Sequence, residues 1–193
     1  MKKIGIITLN GNFNCGNKLQ NYALKKYIEN IGENHVYTLW TNDYKNENII
    51  KHLIKMIIRT PNYIKYNKFS KFNKLLNVKK LKYGDNYDNY VIGSDQVWNT
   101  YDVTFSYKKY FAMFSPKYKN ISYAASLGTN KINGDVRLFK KGIDNIKYIS
   151  VREDEGKKVI CDLTKRRDVE VLIDPTMLLT KDRKSTRLNS SHG

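Results

Sequence analysis

Cysteine is scarce: Cys15 and Cys161 are the only two in 193 residues. They stand far apart and without metal-ligand spacing, which excludes a disulfide framework and fits a reducing, cytoplasmic compartment. The three histidines, His35, His52 and His192, fall in a strand start, a helical segment and the tail. No His/Cys constellation stands ready for a metal, and neither a metal nor another cofactor is expected. Long apolar runs are missing as well. None reaches the roughly 18 residues of a membrane-spanning helix. The start, Met1–Asn10, has too short an apolar run for a signal peptide and no cleavage site, so it predicts a first buried strand. Acidic residues are few, 18 against 35 lysines and arginines, for a formal charge of +17. The lysines are spread through almost every segment beside abundant Asn, Ile and Tyr, and no helix-turn-helix, zinc-knuckle or RRM signature is present. The excess therefore indicates no specific nucleic-acid partner. It suits anionic metabolites, or peripheral association with an anionic membrane surface, at a strength set by salt.

What is present is enough for a real core: 40% hydrophobic and 12% aromatic residues, in a length that suits one large domain. Lys3–Leu9 is a continuous apolar strand. Leu19, Tyr22, Ala23, Tyr27 and Ile31 recur at helical spacing, with Gly32 closing the helix, and His35–Trp40 is a second strand. Residues 47–82 are Lys-rich and helical in pieces, broken near Pro61. Tyr90–Ile92, Asn120–Ser126, Tyr148–Val151 and Val169–Ile173 are further strands, with helices around 134–147 and from Arg152 onward. Strands alternate with helices throughout. The class is α/β: a Rossmann-like, mostly parallel sheet with flanking helices. The final stretch, 180–193, abandons this style and resembles a cloning or sequencing-adaptor scar. It is set apart from a domain over 1–179, which leaves the natural protein longer than this chain; a natural disordered tail is the alternative.

Candidate chemistry sits where strands end. Tyr90–Ile92 runs into Gly93-Ser94-Asp95-Gln96-Val97-Trp98-Asn99. Gly93 permits a sharp exit. Ser94, Asp95, Gln96 and Asn99 suit hydroxyls, and Trp98 offers a flat apolar face of the kind sugars stack on. The same residues also make a turn with an Asp cap and a core indole. The loop Gly11–Lys18 departs from a Walker A, because Asn17 intervenes before Lys18 and Leu19 follows it. What remains is a Gly-rich turn opening onto a helix N-terminus, where backbone N–H groups at Gly16 favour an anion or polar ligand, with Asn17 and Gln20 able to bond hydroxyls. Arg152 ends a strand where a guanidinium can fork onto a carboxylate or phosphate, or pair with Glu153 beside it. Asp174 either faces the cleft or caps a turn.

Five stretches, in order and with fitting spacing, resemble the polysaccharide pyruvyl transferase family. They are Gly-Asn-Lys-Leu-Gln-Asn-Tyr-Ala-Leu at 16–24, Ile-Gly-Ser-Asp-Gln-Val-Trp-Asn at 92–99 and Ile-Ser-Tyr-Ala-Ala-Ser-Leu-Gly at 121–128, then Ile-Ser-Val-Arg-Glu at 149–153 and Ile-Asp-Pro-Thr-Met-Leu-Leu at 173–179. The resemblance implies a two-lobed fold similar to GT-B glycosyltransferases, of which this chain matches the N-terminal lobe. It implies transfer of pyruvyl from phosphoenolpyruvate to a glycan or lipid-linked sugar as a ketal. Arg152 is the candidate for the donor's negative charge and Asp95 for the hydroxyl base. Gly16, Asn17, Gln20, Ser94, Gln96 and Trp98 are candidates for the acceptor side. A single lobe is expected to be inactive alone. A glycosyltransferase-like enzyme using a nucleotide sugar, and a non-catalytic glycan- or anion-binding module, are the alternatives.

Overall fold

The computed structural model describes residues 1–10, 14–40, 72–102 and 105–179. The tail expected over 180–193 and most of the helical stretch expected over 47–82 lie outside the described residues. Strand β1 (Lys2–Ile7) leads through helix α1 (Cys15–Asn30) to β2 (Asn34–Trp40). Then follow β3 (Val78–Lys80), β4 (Asn89–Ile92), the short helix α2 (Tyr107–Tyr110), β5 (Asn120–Ser122), α3 (Val136–Asp144), β6 (Ile149–Val151), α4 (Asp154–Thr164) and β7 (Val169–Val171).

Among the described residues every strand pairing is parallel, as the alternating pattern predicts. Five strands lie in the order β3-β2-β1-β4-β5 and two more in the order β6-β7. Parallel bridges Ile121↔Tyr148 and Ala125↔Val151 carry the sheet across the seam between β5 and β6. There the serines complete what the interrupted ladder leaves open. Ser122 Oγ donates to the Ser150 carbonyl at 2.9 Å, and Ser150 Oγ donates to the Ser122 carbonyl at 2.8 Å. The interruption comes from Ala124, whose φ of 45° is left-handed. The strand expected over 120–126 therefore stops at Ser122.

The order in which successive strands are added reverses between β1 and β4. In open α/β sheets that switch point, at the carboxyl ends of the strands, is where ligands bind. One sheet face packs on α1 through Ile4, Ile6, Leu24, Ile28, Val36 and Val91. The larger core on the other face includes Ile7, Ile92, Trp98, Phe111, Phe139 and Val151.

Two expectations are corrected here. The segment Val78–Lys80, taken as helical, is an edge strand paired with Thr38–Trp40; an edge tolerates Lys-rich sequence because one side faces solvent. Helix α1 buries the expected Tyr22 and Ala23, but the rest of its buried face differs: Leu19, Tyr27 and Ile31 are exposed, and Lys18, Asn21, Leu24, Lys25 and Ile28 are buried instead. Three polar side chains on that face have partners that make burial tolerable: Asn21 accepts from Thr38 Oγ1 at 3.1 Å, Lys25 pairs with Glu29, and Lys18 is held by asparagines.

Candidate functional site

The polar tips of four neighbouring strands meet on one side. After β4, Gly93 takes φ +125°, which turns the chain away from the strand and carries Ser94 and Asp95 under the neighbouring loop. The Ser126 N–H donates to the Asp95 carbonyl at 3.0 Å. Ser94 is fully buried, and its Oγ lies 3.4 Å from Gln20 Oε1 of α1.

Asp95 is 8% exposed. The Gln96 N–H donates to its Oδ1 at 2.8 Å, while Oδ2 is buried with no partner. Burial pushes the carboxyl above the usual carboxylate range. The Gln96 N–H and the Arg152 charge pull it down, and Asp174 pushes it up again.

Arg152 stands between acids. Its Nε donates to Glu153 Oε1 at 2.9 Å, its Nη1 lies 3.5 Å from Asp174 Oδ2, and Nη1 also reaches the Ser94 carbonyl at 3.4 Å. The guanidinium thus joins the ends of β4, β6 and β7. Asp174 fills both of its expected roles. Its Oδ1 accepts from the Thr176 N–H and hydroxyl at 2.9 and 2.7 Å, capping the short turn Pro175–Leu178, while Oδ2 turns to Arg152.

Two members of this neighbourhood were not expected. Tyr123 stands at the end of β5; burial first, then Tyr27 and Asp174, raise its phenol above the ordinary tyrosine range. Lys18, on α1 beside the end of β1, is 1% exposed. Its Nζ donates to Asn10 Oδ1 at 2.6 Å and to Asn73 Oδ1. With neutral acceptors around it, burial lowers the ammonium to about 8 from 10.5. The unfolded chain then holds more protons at this group between those two values, so its contribution to stability rises with pH across that window. Thermal melts of the wild type and Lys18→Met should diverge between about pH 8 and 10.5, the wild type gaining. Parallel curves would rule the shift out.

Other expected residues lie differently. Trp98 is fully buried: its Nε1–H donates to the Tyr110 carbonyl at 2.9 Å and its ring stacks on Phe111 at 5.5 Å. No face is left for a sugar, and the stacking expectation is corrected to a core indole. Gln96 is exposed, packed against Gly128. At the start of α1, Asn14 Oδ1 accepts from the Gly16 and Asn17 N–H groups at 2.9 and 3.4 Å. The helix end is closed by its own cap, and those N–H groups are not open to an anion. Among the described residues, no hydrogen bond joins Gly16 or Asn17 to Ser94, Asp95 or Arg152.

Asp95, Glu153 and Asp174 thus surround the single guanidinium of Arg152, in a chain of net charge +17. A sequence model of the polysaccharide pyruvyl transferase family matches residues 14–191. No match is found among curated proteins or solved structures.

Proposed function

The chain belongs to the polysaccharide pyruvyl transferase family, and on that premise we propose that it forms the acceptor side of an enzyme that moves pyruvyl from phosphoenolpyruvate onto two hydroxyls of a glycan or lipid-linked sugar. The observation that carries this is the desolvated Asp95 carboxyl, with one oxygen unpartnered, beside Arg152 at the switch-point end of the sheet. A carboxyl raised by burial is a better base toward a hydroxyl than an exposed one.

In the reaction, the donor's methylene carbon takes a proton and its central carbon becomes cationic. One sugar oxygen bonds there, the C–O bond to phosphate breaks, and the second oxygen closes the ketal. Of the two hydroxyl protons, one balances the new methyl group and one leaves with phosphate. Asp95 takes the first hydroxyl proton. Arg152 exchanges its long contact to Asp174 for the donor's carboxylate or phosphate. A second lobe supplies the remaining cations, and the reaction runs in the cytoplasm, where phosphoenolpyruvate is made. No helix among the described residues is long and apolar enough to cross a membrane.

Phosphate release from phosphoenolpyruvate, with carbon-13 label followed into a ketal methyl group, tests this. The product of the complete reading frame should form the ketal, and the 193-residue chain alone should not. Turnover by this chain alone would remove the two-lobe part. Consumption of a nucleotide sugar instead would remove the donor assignment. An anion-binding module has less support, since the α1 terminus is capped by Asn14.

A further inference from the structure

A concavity lies at the other end of β4. It has a volume of about 270 Å³ and is lined by Tyr83 and Phe114, from the loops before β4 and β5, with the buried Tyr90 of β4 behind them. Phe114 sits 4.9 Å from Tyr83 and edge-on to Tyr90 at 5.2 Å. The aromatic rings are thus fixed by packing, with Lys108 Nζ 4.2 Å over the Tyr83 ring, while Tyr83 keeps 45% of its surface in solvent.

The floor and rim are polar and of mixed sign. Ser115 lines the cleft at 9% exposure, and its hydroxyl is buried without a partner. Asp85 contributes a carboxylate. Lys119 gives two donors to Asn86 Oδ1 and the Tyr87 carbonyl, at 2.7 and 2.9 Å, and an ammonium carries three.

We propose that this cleft is a second carbohydrate site, which holds one neutral pyranose ring of a glycan away from the crevice at the carboxyl ends of the strands. The solvent-exposed part of Tyr83 and the half-buried Phe114 give one side of a sugar ring an apolar contact. Hydroxyls, which donate and accept at once, suit a rim that pairs a carboxylate with an ammonium. A phosphate or carboxylate ligand would meet Asp85. The volume falls just under the roughly 300–1,000 Å³ of sites for larger ligands, which fits a single ring. The cleft meets β4 at Tyr90, near its amino end, while Ser94 and Asp95 lie beyond its carboxyl end, so the two sites face opposite ends of one strand. A polymer touching both gains from the second contact being intramolecular.

The cleft is read apart from turnover, through amide shifts of Gly84 and Asn86 in nitrogen-15 spectra of this chain. The probes are the methyl pyranosides of glucose, galactose and mannose, with inorganic phosphate and phenol as comparators. At least one sugar should shift those amides saturably at millimolar concentration and leave the Ser94 and Asp95 amides in place. The double variant Tyr83→Ala/Ser115→Ala should weaken that binding by about tenfold or more. If it loses spectral dispersion, Ser115→Ala alone carries the comparison, since its hydroxyl has no bond to lose. No shift with any of the three sugars, full affinity in the variant, or a response to phosphate or phenol alone would overturn the proposal.

Discussion

Gly93→Ala is expected to unfold most of the molecule. A Cβ at this position would lie 2.2 Å from the Tyr123 carbonyl oxygen, which is backbone and cannot swing aside. The φ of +125° is itself a conformation that side chains resist. Strain of this kind costs about 1–3 kcal/mol and overpacking a similar amount, so the sum is about 2–6 kcal/mol. Against a total stability of roughly 5–15 kcal/mol, that removes much or all of the margin. Gly84→Ala is the matched control, because its Cβ would meet nothing within 4 Å, and its urea midpoint should stay near the wild-type value. Equal midpoints for both variants would show that the β4 exit relaxes more readily than its packing indicates.

Asp95→Asn should separate activity from folding. Turnover of phosphoenolpyruvate by the complete enzyme should fall by about 10²–10⁴, the usual contribution of a positioned proton acceptor. The fold should persist, since Oδ1 still accepts from the Gln96 N–H. The pH response has a definite sign. Burial raises the folded carboxyl above its unfolded value, so the folded chain binds the proton more tightly. The associated stability is present at low pH and is lost as pH climbs through the raised value. Melting temperatures of Asp95→Asn should lack that decline. A variant that keeps near-normal turnover would remove Asp95 from the chemistry, and a wild-type-like decline would remove the burial argument.

The fold was largely legible because each strand is an apolar run stopped by glycine or a polar cluster, and because helical periods separate them. The carboxyl-end placement of Asp95 and Arg152 followed from the same punctuation. What escaped was set by distant partners. Trp98 has the flat apolar character of both a sugar platform and a core residue, and the deciding groups are the Tyr110 carbonyl and the Phe111 ring, a dozen residues on. Lys18 is buried by Asn10 and by Asn73, 55 residues away, and no periodicity announces that. Tyr123 was taken as mid-strand because nothing in Ile-Ser-Tyr-Ala-Ala foretells an alanine at φ 45°. Val78–Lys80 is too short and too charged to declare itself a strand without Thr38–Trp40 beside it.

The burial of Trp98 also supplies an optical handle. Its indole is sealed in the core five residues beyond the β4 exit, whereas Trp40 is only half-buried, so the two emit from different surroundings. Fluorescence from Trp98 should lie at the short-wavelength end while the β4 exit is seated and move to the red when that exit opens. The most sensitive segment of the crevice therefore carries its own label-free reporter.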